Sequence, residues 1–156
     1  MLMSLFFWLG VVNNLALFAV FIMRRWRFRL IEKYGWIYLL LAVPAMFGAF
    51  LATQEEPPAI QYLTFLLIFL GFLLLEGLYD WVLKIPFRET MNWMALVPYI
   101  ALYVASNYGF VVMTWRVSLF QGTIMLVLFI MQLGANIATH PKKANHTANS
   151  SALHVP

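Results

Sequence analysis

The chain reads as an all-α integral membrane protein: a bundle of five transmembrane helices, N-terminus outside and C-terminus cytoplasmic. Three observations carry this. Of its 156 residues, 63% are hydrophobic and only 10% charged, whereas about a quarter of the residues of a soluble domain are charged. Five stretches, 2–23, 34–53, 59–83, 91–107 and 115–138, are apolar throughout most of their length, and a helix crosses the hydrocarbon in about 17–25 residues. Nine of the ten Lys and Arg residues fall in alternate gaps between those stretches.

Backbone in lipid must satisfy its own hydrogen bonds, so helices and closed barrels are the two solutions. Barrel strands alternate polar and apolar residues; residues 63–75 are apolar on every side except for Thr64 and Gly71. Helices are therefore expected.

The first stretch has nothing basic before it and a basic cluster after it, so it reads as an uncleaved anchor and not a signal peptide. Asn13 and Asn14 lie halfway along it. Adjacent helical positions point about 100° apart, so one of the two is expected to bond a neighbouring helix. Arg24, Arg25, Arg27, Arg29 and Lys33 follow, which places this gap inside. The same run could hold anionic lipid headgroups, together with Arg88, but setting topology is a sufficient explanation.

In the second stretch, Ala45/Ala49 and Gly48/Ala52 are small residues one turn apart, a pattern that lets membrane helices approach closely. Pro44 should kink this helix, and Pro98 the fourth. The gap Gln54-Glu55-Glu56-Pro57-Pro58 carries no positive charge and is placed outside. The third stretch ends in Leu75-Glu76-Gly77-Leu78-Tyr79-Asp80-Trp81, followed by Lys84 and Arg88 inside. In the fourth, Tyr99, Tyr103 and Ser106 form one helical row, and Ala101/Ala105 form a small pair. A tight turn is expected at Asn107-Tyr108-Gly109, since 91–138 as one helix would far exceed one span. Arg116 is the one positive charge left outside. The fifth stretch carries Gly134/Ala138, Gln132 and Asn136, and Lys142 and Lys143 follow it inside. Tyr34, Trp36, Tyr79, Trp81 and Trp93 would mark the inner interface; Trp8, Tyr62, Tyr108 and Trp115 would mark the outer. The domain organisation is thus a membrane domain over 1–140 and a disordered cytoplasmic tail over 141–156, whose N-x-S/T triplets at Asn145 and Asn149 carry no weight in that compartment.

Chemistry has few candidates. Glu76 and Asp80 are spaced to share a helix face with Lys84. A carboxylate one turn inside the hydrocarbon must find a partner or take up a proton. The functional reading is a proton- or cation-coupled site, or the polar wall of a substrate pocket opening to the cytoplasm, centred on Glu76 and Asp80 with Asn92, Gln132 or Asn136 as partners. The plainer reading is interfacial, with both carboxylates reaching water and pairing with Lys84 or Arg88. Separately, the Tyr99, Tyr103 and Ser106 row could line a pocket for a lipid or quinone, with helix packing its plainer account. There is no cysteine, His140, His146 and His154 lie at or beyond the last helix, and Asp80 is the sole aspartate. No cofactor, metal site or catalytic constellation is expected, and no internal repeat suggests an inverted-repeat transporter. The basic charges are accounted for by topology, so nucleic-acid binding is not expected. Three functions remain: a binding or transport unit of the cell membrane centred on Glu76, working as a homo-oligomer; an accessory subunit of a larger membrane complex; and a lipid-acting enzyme with Glu76 as acid or base and Arg88 as headgroup clamp. The surrounding bilayer is a partner in all three.

Overall fold

The computed structural model describes residues 1–26, 33–83 and 92–139. Its elements are all helical: α1 (Leu2–Trp26); a 3-10 stretch (Gly35–Leu41) running into α2 (Ala42–Gln54); α3 (Ile60–Gly77) running into a π turn (Leu78–Val82); α4 (Trp93–Val117); and α5 (Leu119–Thr139). These form five spans long and apolar enough to cross a membrane. Residues 84–91 and 140–156, including Arg88 and the expected tail, lie outside the described residues, as do Arg27, Arg29 and the side chains of Arg24 and Arg25.

Proline explains the change of winding before α2. Pro44 has no N–H to offer the Leu40 carbonyl, and its ring crowds that turn. The chain enters in tighter 3-10 winding, with the Ala42 N–H bonded to the Leu39 carbonyl. The π turn at the other end of α3 follows Gly77, and it closes with the Leu83 N–H on the Leu78 carbonyl.

Sequence neighbours pack antiparallel. Leu5 lies against Gly48, Gly48 against Leu66, Leu39 against Gly77, Phe65 against Gly109, and Trp115 against Gly122. The ring closes where Met125 of α5 packs on Gly10 of α1. α1 and α4 also touch across the middle, through Phe6 and Phe110. Those two helices form the centre: 44% of the most apolar window of each is buried, against 17–22% in the other three. One end of the bundle carries Met1, Gln54 and Ser118; the other carries Asp80, Asn92 and Thr139. Large apolar side chains such as Val43, Leu74, Phe120 and Ile137 face outward, a surface suited to lipid and costly in water at about 25 cal/mol per Å².

Two expectations are corrected. The turn is not at Asn107-Tyr108-Gly109: α4 continues to Val117, and Ser118, with extended φ −155 and ψ 127, alone joins it to α5. Asn107 and Gly109 resemble turn residues, yet both are buried within α4. Gly109 is there because a Cβ would sit 2.2 Å from the Phe65 ring, and the glycine at the actual hairpin is Gly122, where a Cβ would meet the Trp115 backbone at 2.6 Å. Second, Ala45, Gly48 and Ala52 are buried, but Ala101, Gly134 and Ala138 are exposed. The inner face of α4 instead carries aromatic and amide side chains together with Ala95, Ser106 and Gly109, and that of α5 carries Gly122, Met125 and Gln132.

Candidate functional site

At mid-bundle, where each helix should be apolar, the central face of α1, α4 and α5 is polar. Asn13, Asn14, Ser106, Asn107 and Gln132 are all at most 1% exposed. Groups buried this deeply need partners, and most of these find them by linking helices. The Tyr38 hydroxyl, on the 3-10 stretch, donates to Asn13 Oδ1 at 2.6 Å. Asn13 Nδ2 reaches Asn107 Oδ1 at 3.4 Å, a long contact. Asn107 Nδ2 and the Ser106 hydroxyl both donate to the Tyr103 carbonyl, at 2.8 and 3.0 Å. From α5, Gln132 Nε2 donates to the Tyr103 hydroxyl. The result is a polar ladder that ties four of the five spans together.

The two ends of the ladder differ. Towards Ser118 it meets an aromatic plug: Phe110 packs on Phe6 and Phe69 with ring centroids 5.0 and 5.1 Å apart, and Phe6 meets Tyr62 edge-on at 5.1 Å. Towards Asp80 the polar character continues. Tyr38 lies within electrostatic reach of Glu76, Tyr99 and Tyr103, and the Phe72 ring packs among the three tyrosines at 5.5–6.5 Å. Glu76 is half-buried and engaged with a neighbour, one turn before the exposed Asp80. The π turn that closes α3 begins two residues after Glu76.

Two buried oxygens at this depth, one beside the ladder and one on it, have no hydrogen-bond partner among the described residues: Asn14 Oδ1 and Gln132 Oε1. Leaving a buried acceptor unmade costs about 1–3 kcal/mol. The Asn14 orientation is dictated by its own helix, since its Nδ2 donates to the Gly10 carbonyl at 2.9 Å and that carbonyl can only accept. Turning the Gln132 amide would let Tyr103 donate to it, but would leave the NH2 unpartnered instead. Either way the ladder has unused hydrogen-bonding capacity.

Of the residues singled out from sequence, Gln132, Tyr99 and Tyr103 belong to this ladder's surroundings, with Glu76 at its Asp80 end. Asn136 is half-buried and engaged. Asp80 points outward, and Asn92 is no partner of theirs: its side chain caps α4 by accepting from the Met94 N–H at 3.2 Å. Sequence reasoning missed Tyr38 and Asn107. Asn107 stands one turn beyond Tyr103, a spacing that was legible, but its turn-like neighbours Tyr108 and Gly109 hid it. Tyr38 lies within an otherwise apolar stretch and carried no spacing signal that would single it out. Among the described residues no group of three His, Asp or Glu could hold a metal ion. The chain matches no family model, no curated protein and no solved structure.

Proposed function

We propose that this is a five-pass membrane protein, N-terminus outside, whose polar ladder binds a small cationic solute entering from the cytoplasmic, Asp80 end. The observation that carries the reading is the unused hydrogen-bonding capacity of two buried amides: Asn14 Oδ1, fixed as an acceptor, and Gln132 Oε1, an acceptor in the orientation it holds here. Acceptors call for a donor, and Glu76 at the entrance favours one that is positively charged. Placing the Asp80 end in the cytoplasm follows from the nine basic residues that sequence assigns to that side. The aromatic plug on the opposite side supports a site open from one face, so passage through the bilayer would require Phe6, Phe69 and Phe110 to move apart.

The test separates hydrogen-bond donation from charge. Methylammonium carries N–H donors and tetramethylammonium has none, so in purified protein the first should raise the thermal midpoint and the second should not. Gln132→Leu and Glu76→Gln should each abolish that rise while leaving the unliganded fold intact. Equal stabilisation by both ions, or none by either, would remove the reading. A second reading has its own observation. Gly134 has no neighbouring atom within 4 Å of where a Cβ would stand, and it lies on an exposed strip with Ala138, a face suited to another membrane helix in a homo-oligomer or a larger complex. Cross-linking from Ile137 in native membranes would report that neighbour.

A further inference from the structure

Arg116 is the one basic residue that sequence places away from the other nine, and topology therefore does not explain it. In the structure it stands in the last turn of α4, beside a groove of about 290 Å³ between α3 and α4 at the Ser118 end. The groove is lined by Gln61, Thr64 and Phe65 from α3 and by Tyr108, Val112 and Arg116 from α4, among others. Its shape has a local cause. Gly109 lets the Phe65 ring lie directly on the α4 backbone, and Tyr108 turns outward with its ring 6.4 Å from that of Phe65. An apolar channel remains between the two helices, with the guanidinium at its mouth.

The guanidinium is held, and among the described residues no carboxylate pairs with it. Its Nη1 donates to Gln61 Oε1, a neutral amide, and the contact is exposed. Arginine carries five N–H donors in a fork that matches two oxygens of a phosphate, so one bond to Gln61 orients the group and leaves donors for a second acceptor. Thr64 bonds its own helix at the Ile60 carbonyl, 2.9 Å away, so the groove below the guanidinium presents mainly apolar surface. A charged donor fork at the membrane surface above a narrow apolar channel is complementary to one kind of molecule in a bilayer. We infer that this groove is a phospholipid site: Arg116, positioned by Gln61, takes the phosphate, and an acyl chain lies along Thr64, Phe65 and Val112. The inference needs only a membrane around the bundle. It is independent of the polar ladder and of which side the Ser118 end faces.

Native mass spectrometry of the full chain in mild detergent tests it, with phosphatidylglycerol, phosphatidylethanolamine and diacylglycerol of the same acyl chains as probes. The wild type should retain one more tightly held phospholipid than Arg116→Gln, whatever the basic run near the other end holds. Diacylglycerol, which lacks the phosphate, should not be retained at this site. Affinity at the site should fall about tenfold in Arg116→Gln, the scale of one charge-assisted contact. Val112→Trp fills the groove without touching the charge and should also release the lipid. Equal phospholipid counts for wild type and Arg116→Gln, or equal retention of diacylglycerol, would overturn the inference. Should Arg116→Gln fail to fold, Val112→Trp decides it: an unchanged count would overturn it equally.

Discussion

Asn13 illustrates how one buried amide can link three spans. It accepts from Tyr38 and donates to Asn107, so its loss leaves a hydroxyl and an amide oxygen unmade inside the bundle. Interhelical hydrogen bonds in membranes average about 0.6 kcal/mol, but an orphaned buried group costs about 1–3 kcal/mol. Asn13→Leu should therefore destabilise by about 1–3 kcal/mol, the penalty of the groups left behind. Tyr38→Phe should cost less, because Asn13 keeps its bond to Asn107. The double variant should destabilise by less than the sum, with a coupling of about 0.5–2 kcal/mol. Steric-trapping unfolding in bicelles measures all three; strict additivity would mean that the Tyr38–Asn13 bond contributes nothing.

At the level of the helix, glycine decides how closely elements approach. Four glycines give graded expectations. Gly122 faces the Trp115 backbone at the α4–α5 hairpin, which cannot yield, so Gly122→Ala should be the most damaging. Gly109→Ala meets the Phe65 ring and, at 3.0 Å, the Phe65 Cβ, and should cost about 1–3 kcal/mol through overpacking. Gly10→Ala meets the terminal methyl of Met125 first, a flexible group, although the Phe110 ring lies close behind at 2.9 Å. Gly134→Ala should be neutral or slightly stabilising in the isolated chain, since nothing surrounds it. Destabilisation by Gly134→Ala in native membranes, without any in purified monomer, would be evidence for the oligomeric or accessory reading. Ranking the four by unfolding in a single detergent checks the series.

For the whole molecule, orientation is directly testable because the chain has no cysteine. Cysteines placed at Glu56 and Ser118 should react with an impermeant reagent in intact cells, whereas those at Lys33 and Asn92 should react after permeabilisation. Labelling of Lys33→Cys from outside would reverse the proposed orientation, and with it the side from which solute enters. The number of spans and their helical character were legible in the sequence, because hydrocarbon thickness and the need to satisfy backbone hydrogen bonds act on any chain, whatever its partners. So was the buried small-residue face of α2, where Ala45, Gly48 and Ala52 follow one stripe. Where sequence reading failed, the cause was that a membrane helix is apolar on its lipid face and in its core alike, so hydropathy does not say which face turns inward. Asn107 and Gly109 could be read as a turn until α1 and α3 were seen packed against them. Gly134 and Ala138 looked like an interior seam, yet they face outward. Glu76 was visible as an acid at membrane depth, but its neighbour Tyr38 lies 38 positions away and came to it only through antiparallel packing. The sequence by itself determined that there are five apolar spans and how charge is divided among their ends. Tertiary structure decided which polar groups meet at mid-bundle, and which of their acceptors are left without a donor.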